Sequence, residues 1–181
     1  MIAESEEPKP FYIPPFENPI MHIGHASIID EIKSEFEVRG KTEPPAAIVV
    51  AVGGGGLLCG ILKGLERNGW GSVPVVAAET EGASSFALGL QQNEPTALPD
   101  GCNSIAKSLC VVKCSPTAIQ LSKAHAGGVV PVQISDANAV DACCKFADDQ
   151  RCIVEPACGT ALAAGSYDTA CVANGLSRVI D

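Results

Sequence analysis

"VAVGGGGLLCGILKGLERNG", residues 50–69, sets four consecutive glycines between an apolar run and an amphipathic one. The run that leads into it, Ala46 to Val52, is continuous and rich in β-branched side chains, the pattern of a strand buried on both faces. After the glycines, Leu57, Leu58, Ile61, Leu62 and Leu65 recur at three- and four-residue spacing, with Lys63, Glu66 and Arg67 on the other side. Gly69 stands where a helix C-terminal cap belongs. A flexible linker has no such flanks. The stretch reads as strand, glycine turn, helix.

Glycine adopts positive φ at no steric cost and lets a ligand come close to the backbone. Successive main-chain N–H groups then form a concave anion nest, and the helix that follows adds its own free N–H groups and the positive end of its dipole. Phosphate is the natural guest of Gly53, Gly54, Gly55 and Gly56. The alternative is a tight turn with no ligand. A P-loop is excluded, because no Gly-Lys-Ser/Thr follows. A dinucleotide fingerprint gains from Glu79, which ends a strand where a ribose-binding acid could sit. It fails at the third glycine of G-x-G-x-x-G, where Leu58 or Cys59 falls.

The 181 residues suit one domain, and a hydrophobic content of 46% is enough for a packed core. A net charge of −9 argues against nucleic acid and against an anionic membrane surface. The first ten residues, "MIAESEEPKP", are acidic and proline-broken, unlike a signal peptide, and the longest uncharged stretch, around residues 44–62, is interrupted by Pro44, Pro45 and four glycines, which argues against a membrane span. Nine cysteines, an odd number without a leader, point to reduced thiols in the cytoplasm. Cys110 and Cys114 lack the second ligand pair of a zinc site.

Residues 1–19 form an irregular, proline-rich lead, and residues 20–181 a partial α/β domain. A helix follows the lead, with Ile28, Ile29, Ile32 and Phe36 on one face and Gly40 closing it. "VPVVAAE", residues 73–79, is a second buried strand, and "ASSFALGLQQ" a short helix. Ser115-Pro116 opens a helix to about Ala124, and Ser135 caps another to about Asp149. "VVPVQIS", residues 129–135, is a third strand that Pro131 moves toward an edge. "CIVEPACG", residues 152–159, is a short strand and turn, followed by an alanine-rich helix over residues 160–175. Strands alternating with helices predict an open, mainly parallel sheet with flanking helices.

"PPFENP", "GHASIIDEI", the tetraglycine stretch, "VPVVAAETEGASSF", "NSIAKSL" and "VEPACGTALAA" occur in that order between Phe11 and Ala164. Together they resemble the L-serine dehydratase, or serine/threonine ammonia-lyase, family of fold-type II pyridoxal-phosphate enzymes. The resemblance implies that Gly53, Gly54, Gly55, Gly56 and the amide of Leu57 hold the phosphate of pyridoxal 5'-phosphate, and that Glu155 lines the same pocket. It implies a potassium or magnesium ion on the Glu79 side chain and the carbonyls of Ala83, Leu109 and Val111, oxygen ligands that suit a hard cation. It implies L-serine or L-threonine as substrate, β-elimination to pyruvate or 2-oxobutyrate plus ammonia, and allows a homodimer.

The family's cofactor-anchoring lysine lies upstream of every block matched here. Lys9 lacks its context, while Lys63, Lys107 and Lys113 read as solvent-facing or peripheral. No catalytic residue is assigned, and His22 and His25 read as ordinary surface or core histidines. The expectation is the middle of the large domain of a serine dehydratase, inactive by itself. The alternatives are a catalytically dead module that binds cofactor or a partner, and a dinucleotide-binding α/β domain.

Overall fold

β2 (Val75–Thr80) is buried along its whole length, because it pairs on both sides. The computed structural model describes residues 12–167. In it, β1 (Ile48–Ala51) and β3 (Val129–Ile134) flank β2 in a parallel sheet ordered β1-β2-β3. Pro131, opposite Ala77, sits in β3 at the sheet's edge, where its missing N–H breaks no ladder on the outer side. β1 is the other edge and only partly buried, so the fully buried strand is the second one.

Alternation along β2 divides the core. Val75 and Ala77 join a cluster with Ile29, Leu58, Leu65 and Phe86, whereas Val76 and Ala78 join Ile134, Ala139, Ala142 and Ala164. Helices therefore cover both faces. α1 (Pro19–Val38), α2 (Gly56–Arg67) and α4 (Pro116–Ala124) contribute to the first cluster or pack against it. α5 (Asp136–Gln150) and the wider coil Ala163–Tyr167 that continues α6 (Pro156–Leu162) contribute to the second. α3 (Ser85–Gln92) follows β2 after a single 3-10 turn, Glu81–Ala83.

The helix ends follow the sequence signals. The hydroxyls of Ser115 and Ser135 accept N–H bonds from Ala118 and Asn138, at 3.1 and 3.2 Å. Gly40 and Gly69 take φ of +67° and +74° and close α1 and α2 with paired bonds, Lys41 N–H to Phe36 O and Trp70 N–H to Leu65 O, both 2.8 Å. α1 and α2 pack closely because Gly60 and Gly64 carry no side chain; a Cβ would lie 2.3 Å from His25 Cβ and 2.8 Å from Ala26 O.

Some expectations are overturned. Residues 152–155 form no strand; they run irregularly into α6, whose first turn starts at Pro156. Ile28 and Leu57, expected on apolar stripes, are exposed. The glycine stripe of α2 takes the α1 contact that a leucine stripe alone would have filled. Of the expected last helix, residues 168–175 lie outside the described residues, as does Lys9. Among the described residues, no helix is long and apolar enough to cross a membrane.

Candidate functional site

β1 runs into Val52, and the four glycines turn the chain into α2 at the sheet's carboxyl end, where ligands of open α/β sheets bind. Three residues, Phe16, Leu109 and Ala118, between them require all four glycines. A Cβ on Gly53 would lie 3.0 Å from Leu109 Cα, one on Gly54 2.3 Å from the Phe16 ring, and one on Gly56 2.9 Å from Phe16 Cα. Gly55 has φ +95°, and its Cβ would lie 2.6 Å from Ala118 Cβ. The absent side chains are therefore explained by protein packing against the loop, and two of these neighbours, Phe16 and Leu109, also line its cavity. Local sequence gave no sign of Phe16 or Ala118 in this role.

The loop still opens on a cavity. Gly55 is the N-cap of α2 and offers no capping side chain, and the first intrahelical bond runs from Cys59 N–H to Gly55 O at 2.9 Å. The N–H groups of Gly56, Leu57 and Leu58 precede that ladder. Gly53, Gly54, Gly55, Gly56 and Leu57 line a cavity of about 440 Å³, within the range of small-molecule sites. Ser108, Leu109, Val111 and Glu155 share its wall. Ser108 Oγ donates to the exposed Glu155 carboxylate at 3.0 Å, and Glu155 is the N-cap of α6. Ser108 was not identified from sequence; a lone serine in a turn carries no signal.

Glu79 lies elsewhere. It is fully buried at the end of β2 and does not line the glycine cavity, so it is not placed as the ribose-binding acid of a dinucleotide site. Its two oxygens accept the Phe86 and Ala87 N–H groups, each at 2.8 Å, at the start of α3. Burial pushes its pKa up to about 7, against the downward pull of those two bonds. Ala83 and Leu109 share one small apolar cluster with Ala106 and Ala157. Leu109 O already accepts the Val111 N–H at 2.8 Å. The Ser85 hydroxyl, one residue before Phe86, is buried and has no hydrogen-bond partner among the described residues.

His22 is 1% exposed, its Nε2 is 2.8 Å from Phe16 O, and its Nδ1 is 3.4 Å from Lys63 Nζ. Lys63 is thus half-buried against α1 and not simply solvent-facing. His25 lines the glycine cavity, with Nδ1 3.4 Å from Gly56 O.

Cysteine chemistry departs from the sequence reading at one pair. Cys102 and Cys110, with Cα atoms 5.4 Å apart, form a disulfide. The reading in terms of C-x-x-C spacing missed it, since a loop brings the two together across eight positions. It also removes Cys110 from any pairing with Cys114. Burial pushes the Cys59 thiol up to about 12 and the Cys114 thiol up to about 11. In the folded chain at pH 8, alkylation followed by peptide mapping is expected to label the exposed Cys144, Cys152 and Cys158 and to spare Cys59 and Cys114. Labelling of Cys59 at the rate of Cys152 would contradict this burial.

The sequence pattern of the family described as "Pyridoxal-phosphate dependent enzyme" matches residues 2–178. The chain belongs to that family. Its glycine loop fits the family's cofactor: a cradle of main-chain N–H groups at a helix start opens on a cavity of suitable size. The chain is 46% identical over 153 residues to the human protein named L-serine dehydratase/L-threonine deaminase, covering 84% of this chain and 44% of the relative. It is 40% identical over 162 residues to L-serine dehydratase of Dictyostelium discoideum, covering 89% and 45%. The chain therefore spans less than half the length of these relatives. A fungal L-serine ammonia-lyase from Rhizomucor miehei superposes with TM-score 0.84 at 36% identity, over 93% of this chain and 50% of that one. The fold is that of type II pyridoxal-phosphate enzymes.

Proposed function

We propose that this chain supplies the phosphate-gripping part of a serine/threonine ammonia-lyase. The observation that carries the reading is the uncapped start of α2, whose first residues line a cavity shared with Ser108 and Glu155. Gly53, Gly54, Gly55, Gly56 and the Leu57 amide hold the phosphate in this reading. Glu155, fixed by Ser108, gives the opposite wall a negative charge that suits a protonated nitrogen of the ligand or of an amino-acid substrate. Pyridoxal phosphate, when bound, draws electrons from the α-carbon of an amino acid and so lets a β-hydroxyl leave. The products from L-serine or L-threonine are pyruvate or 2-oxobutyrate, with ammonia.

Among the described residues no lysine lines the cavity. We assign these residues the cofactor grip and not complete catalysis. The reading includes the cytoplasm as the compartment and a homodimer as the assembly. It also places a potassium or magnesium ion on Glu79 and the carbonyls of Ala83, Leu109 and Val111. The partnerless Ser85 hydroxyl is a further buried oxygen beside that set.

The test is a titration of the purified chain with pyridoxal phosphate, followed by absorbance and by alkylation of Cys158, which lines the cavity. Saturable binding that inorganic phosphate competes away, with Cys158 protected and Cys152 still reactive, is the expected result. Borohydride reduction and peptide mapping then report whether a lysine of this chain bonds to the cofactor. Binding indifferent to inorganic phosphate, or no protection of Cys158, would overturn the assignment.

A further inference from the structure

The glycine loop is held by a small set of contacts, of which those of Glu17, Ser115 and Thr117 lie outside the cavity lining. Ser115, fully buried, donates its N–H to Gly54 O at 2.9 Å. Its hydroxyl accepts the Ala118 N–H at 3.1 Å and donates to the carboxylate of Glu17, which also accepts from Thr117 Oγ. Glu17 follows Phe16, whose ring lies against Gly54 and whose carbonyl oxygen is 2.8 Å from His22 Nε2. Two segments distant in sequence, "PPFENP" and the start of α4, thus meet at the loop, with Pro15 and Phe16 on the cavity wall and Glu17 and Ser115 off it.

The consequence is directional. A trans peptide points its N–H opposite its carbonyl, and the described chain has no cis peptide. Since Gly54 O is turned toward Ser115, the Gly55 N–H is turned away from it. Neither Ser115 nor any other residue of the α4 start lines the cavity, whereas Gly54, Gly55 and Gly56 do. With φ at +95°, Gly55 could hold its peptide in several orientations were nothing bonded to Gly54 O. We infer that Ser115 and Glu17 are positioning residues, which aim the Gly55 N–H at the phosphate site without touching the ligand. This rests on the phosphate reading given above and adds to it the residues that set the loop's geometry. Phe16, which itself lines the cavity, fills the space over Gly54.

The experiment compares the full chain with Glu17→Ala, Glu17→Gln and Ser115→Ala. Dissociation constants are measured for pyridoxal phosphate and for pyridoxal, the same ring without phosphate, and the thermal melt of each ligand-free variant is recorded. Glu17→Ala and Ser115→Ala are expected to weaken pyridoxal phosphate by about fivefold, the scale of one lost hydrogen bond, with pyridoxal unchanged. Glu17→Gln keeps an oxygen for the Ser115 hydroxyl and is expected to recover most of the loss. Equal weakening of both ligands, or wild-type affinity in Glu17→Ala, overturns the inference. If either alanine variant fails to fold, Glu17→Gln against Thr117→Val decides it: Thr117→Val should weaken pyridoxal phosphate alone, and an unchanged affinity counts against the inference. A wild-type chain that binds neither ligand overturns the phosphate reading itself, an outcome distinct from normal wild-type binding with indifferent variants.

Discussion

Gly55→Ala is expected to cost about 2–5 kcal/mol of folding stability and to abolish phosphate-competed binding of pyridoxal phosphate. Two effects add. A non-glycine residue at φ +95° is strained by about 1–2 kcal/mol. The new Cβ also falls 2.6 Å from Ala118 Cβ, inside a packed region, where forcing in a methyl costs about 1–3 kcal/mol. That sum is a large part of a typical domain's total stability. Two controls separate these effects. Gly69→Ala meets the same φ problem at +74° with nothing within 4 Å, and should cost about 1 kcal/mol. Gly24→Ala, inside α1 with open space around it, should stabilise by about 0.5–1 kcal/mol. Urea unfolding of the ligand-free chains measures all three. A Gly55→Ala cost equal to that of Gly69→Ala would mean that Ala118 yields freely.

Glu79 is expected to make stability fall as pH rises. Its folded pKa of about 7 lies above the ordinary 4.5, so the folded chain holds this proton more tightly than the unfolded one. The stability it contributes is present below pH 4.5 and is lost as pH rises through about 7, with no further change above. The shift amounts to on the order of 3 kcal/mol across that window. Unfolding curves of the wild type and Glu79→Gln, measured between pH 4.5 and 8 without potassium or magnesium, give the comparison. The variant should lack this component of the slope, although its amide then confronts one of the two N–H groups at the start of α3. Identical slopes would show that Glu79 does not titrate in the window. The cation proposed at Glu79 favours the ionised carboxylate, so potassium or magnesium should restore wild-type stability above pH 7 more than that of Glu79→Gln.

The elements themselves were legible because their causes are local. The apolar run before Gly53, the three- and four-residue spacing after Gly56, and the capping residues Ser115, Ser135, Gly40 and Gly69 each act within a turn or two of chain. The order of motifs placed the chain in its family for the same reason: the glycine loop proposed to grip a phosphate is a contiguous stretch. The short strand expected at residues 152–155 did not form. β-branched residues such as Ile153 and Val154 favour a strand only where a neighbour supplies the ladder, and Ile153 is 91% exposed.

What sequence alone determined is the strand–glycine–helix unit, and with it the kind of ligand proposed here, since backbone N–H groups at a helix start favour anions. Tertiary structure alone decided why all four positions are glycine, because Phe16, Leu109 and Ala118 reach the loop from three distant segments. It also turned Glu79 inward onto α3, joined Cys102 to Cys110, and brought Glu17 to Ser115 behind the loop. Each of these depends on a close approach between residues far apart in the chain, and spacing along the chain carries no record of such distances.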